Sequence, residues 1–200
     1  MIFSKIMDIL EWVMHFAYLN LLFIAGILVG GVVLGFFPAC HATISVSQRL
    51  INEPGFNLTK AFIDGYKKHF WKSQRVGYLF LFVKLILVSN IIFWRQLDHL
   101  LSWIWLFLVA FLLLGSMLLF SISVENHFSL KDLGKLFFYS LSQLHLYLAL
   151  LLGLVVIYLA LLLVPGVFIF FAGSLSLTWV MFISHLFVQK IQKVQQRNRK

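Results

Sequence analysis

The chain has 200 residues, of which 62% are hydrophobic and 12% charged, and it carries a formal net charge of +9. A soluble domain is about half apolar and about a quarter charged, so the composition excludes an ordinary water-soluble domain and points to a single membrane domain over 1–200. The positive balance would suggest nucleic acid in a soluble protein, but here the cations flank apolar runs, where topology and anionic lipid headgroups account for them and no nucleic-acid partner is expected.

In chain order, Asp8 and Glu11 interrupt the first apolar residues and no small-residue cleavage site follows, so no signal peptide is expected. A bilayer core of about 30 Å is crossed by about 20 apolar residues in a helix. Five runs reach that length: 12–37, ended by Pro38; 76–94; 101–122; 144–164, ended by Pro165-Gly166; and 167–188. The short Pro-Gly connection predicts an antiparallel hairpin of the last two. In the first run, Gly26-x-x-x-Gly30 and Gly31-x-x-x-Gly35 permit close helix contact, either at a dimer seam or in internal packing. Gly26, Gly30, Gly31 and Gly35 are therefore candidate helix-packing residues, and a homo-oligomer is one use for them. The one cysteine, Cys40, excludes an internal disulfide.

Between the first two runs lie Arg49, Lys60, Lys67, Lys68, Lys72 and Arg75, against the acids Glu53 and Asp64. Over 57–72 the residues Leu58, Phe62, Ile63, Tyr66 and Phe70 share one helical face and the lysines the other, which predicts an amphipathic helix lying in the interface. Its cations are candidate contacts for anionic headgroups or for a cytosolic docking partner. A second such helix is expected over 129–143, with Leu130, Leu133, Phe137, Phe138 and Leu141 opposite Lys131, Asp132 and Lys135. Cytoplasmic segments carry the excess of Lys and Arg. An all-α polytopic bundle of five spans, N-terminus outside and C-terminus cytoplasmic, puts both loops and the basic tail 189–200 on that side. A shift of about 72 residues lays the first interfacial helix and second span on their later counterparts and span one over span three. The pattern fits a parallel pseudo-repeat or chance similarity between Leu- and Phe-rich helices.

Lys84 stands near the middle of the second run, where a cation costs ~3 kcal/mol on insertion scales. It either snorkels toward the headgroups or makes a polar contact in the bundle interior, with Asn20, Asn90, His15 and His145 as neighbours by depth. Lys84, Asn20 and Asn90 form the candidate intramembrane polar site. No catalytic, cofactor or metal residues are assigned. The seven histidines lack His-x-x-x-His or His-Glu-x-x-His spacing. Ser174, Ser176 and Thr178 have no general base beside them in sequence and read as inter-helix hydrogen bonds. The chain is not expected to be an enzyme.

From Asn20 to about Gly77 the sequence resembles the YesL family of bacterial integral membrane proteins, whose domain is of unknown function. The resemblance rests on LNLLF at Leu19–Phe23, the Pro38-Ala39 step in FPACHAT, Arg49, and FIDGYKKHFWKS at Phe62–Ser73. The family pattern there is an aromatic, three residues, an aromatic-Lys pair, a polar residue, then Asn-Phe. This chain supplies Phe62, Tyr66-Lys67, Lys68 and His69-Phe70; His69 departs from the Asn, and Phe37 replaces a Gly before the proline. The resemblance implies a plasma-membrane protein encoded near carbohydrate ABC transporters, hence an accessory or permease-like component with transporter subunits as partners. A non-transporting scaffold or regulator that binds lipid and other membrane proteins is the alternative. No activity is established for the family.

Overall fold

Long apolar runs in one chain satisfy their backbone groups most simply as helices, since lipid offers no hydrogen bonds. The computed structural model describes residues 2–53, 55–94, 99–125, 135–136, 139–140, 142–163 and 165–197, and among these no residue is in a strand. Among the described residues six long helices follow one another: α1 (Ile2–Val29), α2 (Val33–Asn52), α3 (Leu58–Trp94), α4 (His99–Glu125), α5 (Leu144–Leu162) and α6 (Pro165–Arg197). Three described stretches are long and apolar enough to cross a membrane: Ile9–Val29, Leu144–Leu162 and Val167–Ile191; Val109–Val124 is a shorter apolar helix.

The expected first span over 12–37 is not one helix. It breaks at 30–32 and reverses into α2. Gly31 has φ 71°, and its N–H donates to Leu28 O (3.0 Å) while that of Val32 donates to Ile27 O (2.9 Å). These two bonds around a left-handed glycine are a Schellman cap, which satisfies carbonyls that a helix end leaves open. Val32 follows at φ 54°, uncommon for a β-branched residue. Gly26, Gly30 and Gly35 lie where α1 and α2 touch. A Cβ on Gly35 would stand 2.5 Å from Ile27 O and 2.7 Å from Gly26 O, and one on Gly26 would meet the Phe62 ring at 3.1 Å and Ala39 at 3.3 Å. Gly31 has nothing within 4 Å of its would-be Cβ, so it serves the turn and not the packing.

Pro38 does not end a helix either. It stands inside α2, where its ring nitrogen cannot donate to Leu34 O, the carbonyl four residues back. The Gln74 amide of α3 donates to that oxygen instead, at 3.0 Å. α2 is the most enclosed of the early helices, with Ala39, Ala42, Thr43, Val46 and Ser47 all buried. It packs between α1 and α3 in a core that includes Leu19 and Phe23 of α1 and Leu58 and Phe62 of α3. His41 of α2 and His69 of α3 stack with ring centroids 4.5 Å apart.

The amphipathic stretch 57–72 is likewise not a separate interfacial helix. It is the first half of α3, which runs 37 residues without interruption, about 55 Å at 1.5 Å per residue. That exceeds a bilayer core of about 30 Å, so one helix carries both the basic stretch and the apolar run that follows. The residues assigned to the bilayer interface divide: Leu58 and Phe62 are buried against α1 and α2, Tyr66 and Phe70 are half-buried, and only Ile63 is exposed. The second expected interfacial helix, 129–143, lies for the most part outside the described residues.

A second core joins Leu118 and Ile122 of α4, Tyr147 and Leu150 of α5, and Val180, Ile183 and Phe187 of α6. The predicted hairpin of the last two spans is present as α5 and α6. Its pairing is close enough that Trp179 Nε1 donates to Leu150 O at 3.3 Å. A shift of about 72 residues lays α2, and not α1, over most of α4, so the helices do not give the expected pairing of span one with span three.

Candidate functional site: a pocket around Lys84

Lys84 and Phe80 stand one turn apart on α3 and therefore share a face. They border a partly open cavity of about 180 Å³, which α2 lines with Phe36, Phe37 and Cys40. Ser116 and Phe120 of α4, Leu154 and Tyr158 of α5, and Ser176 and Val180 of α6 complete it. Five helices thus meet around one ammonium group, and among the described residues the lining contains no carboxylate.

The polar groups of the lining are few. The Ser116 hydroxyl is engaged by its own helix, donating to Leu113 O at 2.7 Å. Ser176 is different: its Oγ is buried and has no hydrogen-bond partner among the described residues. A buried polar group left unmatched costs about 1–3 kcal/mol. The helical spacing shows why it departs from its neighbours. Ser174 and Thr178 are four residues apart and share a face, while Ser176 falls on the opposite side of α6. Ser174 Oγ donates to Phe16 O (3.0 Å) and Thr178 Oγ1 to Ser47 Oγ (2.9 Å). These two make the inter-helix bonds expected of all three, and Ser176 turns into the pocket.

The structure does not bring Asn20 to Lys84. Asn20 is 1% exposed; its Nδ2 donates to Ile169 O at 2.7 Å and its Oδ1 accepts the Ser174 N–H at 2.8 Å. It fastens α1 to α6. Asn90 is six residues beyond Lys84 on α3, about 9 Å along the axis, and its side chain is not among those described. His145 reaches Lys190 instead, at 2.9 Å. Cys40, Ser176 and Tyr158 were not singled out in the sequence for this site; of these, only Ser176 carried a usable signal, its position off the Ser174–Thr178 face.

The six cations of the basic stretch also separate. Arg49 pairs with Glu53 at 3.1 Å and lies over the Phe56 ring, 4.7 Å from its centroid, so it braces the turn between α2 and α3. Lys60, Lys67, Lys68 and Arg75 are exposed on α3 and Lys72 is half-exposed. Trp71 beside them is 72% exposed. Alongside runs a groove of about 420 Å³ between α1 and α3, walled by Leu22, Val29, Phe62 and Ile63, with Tyr66 and Lys67 at its edge. Among the described residues no cluster of three metal-ligating side chains occurs.

A family described as "Protein of unknown function, DUF624" matches residues 16–91. The matched stretch runs from α1 through α2 to near the end of α3, less than half of the chain. It holds the glycine turn, the basic strip and Lys84, but not the α4, α5 and α6 walls of the pocket. The chain is also similar to the uncharacterized protein YteU of Bacillus subtilis (strain 168), 28% identical over 177 residues that cover 86% of this chain and 80% of the relative. No solved structure matches. The resemblance to YesL-type proteins therefore stands at the level of a family of unknown function, and neither comparison bears the narrower name.

Proposed function

We propose that this is a multi-pass protein of the bacterial plasma membrane that works by binding, as a lipid-holding scaffold or regulator of other membrane proteins, and not as an enzyme. The observation that carries the reading is the pairing of the apolar groove between α1 and α3 with Lys67 at its edge and the exposed Lys60, Lys68 and Arg75 nearby. A groove that accepts an acyl chain beside a row of cations suits an anionic lipid, each exposed cation near such a surface contributing about 1 kcal/mol at low salt. Replacing Lys60, Lys67, Lys68 and Lys72 by Gln is expected to abolish the enrichment of anionic over zwitterionic lipid in the purified protein. Equal enrichment in the variant would sink the reading.

By the charge distribution of the sequence, five spans with the N-terminus outside put the basic strip and tail on the cytoplasmic side, with the α1–α2 hairpin standing in place of the first of those spans. In this arrangement Asp98→Cys and Lys200→Cys, each in a Cys40→Ser background, label from opposite sides with an impermeant thiol reagent; labelling from one side refutes it. The accessory role in carbohydrate uptake rests on the resemblance alone. Affinity purification in mild detergent distinguishes it: recovery of a transport ATPase with a solute-binding partner favours uptake, whereas recovery of lipid and unrelated membrane proteins favours the scaffold.

A further inference from the structure

A lone ammonium within an apolar bundle needs an anionic or strongly accepting partner, and among the described residues the lining around Lys84 contains no carboxylate to provide one. The same cavity holds the buried Ser176 hydroxyl, which has no partner among the described residues. The remaining walls are mostly aromatic and aliphatic, from Phe36, Phe37, Phe80, Phe120 and Leu154. We propose that this pocket is a binding site for a single-chain amphiphile with an anionic oxygen head, the head accepting from Lys84 and Ser176 and the chain lying among the phenylalanines. The site is separate from the basic strip on α3, so this inference goes beyond the function proposed above.

The chemistry of the lining narrows the ligand. A cation is repelled by Lys84. A sugar carries many hydroxyls that each need a partner when buried, and apart from Ser116, already bonded to Leu113 O, the described residues of the lining supply only Lys84, Ser176, Tyr158 and the Cys40 thiol. A carboxylate or phosphate ester on an alkyl chain needs one cluster of donors and an apolar sleeve, which is what the five helices build. A dry apolar cavity of about 150 Å³ accepts benzene, so a cavity of about 180 Å³ takes a head group and the first few carbons, and a longer chain leaves by the open side toward lipid. Free fatty acids and lysophospholipids share this chemistry.

The test is binding of radiolabelled decanoate to the full-length protein in a non-ionic detergent, with decanol and decanoyl-lysophosphatidylglycerol as competitors. Saturable binding is expected, displaced by the lysophospholipid and not by decanol, which has the same chain without the charge. Stronger displacement by the lysophospholipid than by unlabelled decanoate assigns the site to a lipid headgroup, and the reverse to a free fatty acid. Lys84→Met should weaken binding about tenfold, the loss of one charge-assisted hydrogen bond, while Lys84→Arg keeps most of it. Cys40 supplies a readout that needs no variant: as the one cysteine in the chain and part of the lining, it should react with N-ethylmaleimide several-fold more slowly when decanoate is present than when decanol is. The absence of saturable binding by either anion overturns the proposal. So does equal competition by decanol, or decanoate affinity and Cys40 protection unchanged in Lys84→Met.

Discussion

Asn20→Leu tests whether buried polar groups in this protein fasten helices together or await a ligand. The substitution keeps the branched shape of the side chain and removes both of its hydrogen bonds, to Ile169 O at 2.7 Å and from the Ser174 N–H at 2.8 Å. Each inter-helix hydrogen bond in a membrane protein contributes about 0.6 kcal/mol on average and up to about 1.7, so the two together come to about 1–3 kcal/mol. At about 1.4 kcal/mol per factor of ten, the unfolding equilibrium should shift by roughly fivefold to a hundredfold. The contact is tight as well as polar: a Cβ on Gly173 would lie 2.7 Å from Asn20 Oδ1 and from the Phe23 ring. Gly173→Ala should therefore destabilise through the same α1–α6 contact, and the double variant should lose less than the sum of the two. The assay is reversible unfolding in mixed micelles, followed by tryptophan fluorescence. An Asn20→Leu protein as stable as the original would refute the argument that this asparagine is a structural tie, as would strict additivity with Gly173→Ala.

Gln74→Leu should destabilise by about 1 kcal/mol, because Leu34 O then has neither a helical N–H nor a side-chain donor; adding Pro38→Ala returns the helical donor and should recover part of that loss in the same unfolding assay. At the hairpin turn, Gly31→Asn should be nearly neutral, since Asn tolerates the left-handed region, while Gly31→Val should cost about 1–2 kcal/mol. Gly35→Ala should cost about 1–3 kcal/mol by overpacking against the α1 carbonyls. Melting midpoints that rank Gly31→Val as the mildest of the three would contradict the division of roles between these glycines.

Composition and periodicity alone determined that this is a helical membrane protein, because lipid-facing helices must be apolar along about 20 residues and few other structures survive without water. The last two spans, expected over 144–164 and 167–188, were legible nearly to the residue in Leu144–Leu162 and Val167–Ile191, since Pro165 cannot continue α5 and instead opens α6. The first span was misread because a glycine reads alike in sequence whether it admits a neighbouring helix or takes a left-handed φ. Gly31 does the second and Gly35 the first, and only the fold separates them. Pro38 was misread for a related reason: its missing N–H looks terminal until Gln74, distant in sequence, supplies a donor. The amphipathic face at 57–72 was visible, but an apolar face can meet lipid or protein with the same periodicity, and here Leu58 and Phe62 meet α1 and α2. The pocket was the least legible part. Lys84 was conspicuous as a charge in an apolar run, but its surroundings come from five helices, and no local pattern records which residues on α2, α4, α5 and α6 will face a lysine on α3. That is a property of how helices cross, which depends on side-chain packing summed over the whole bundle.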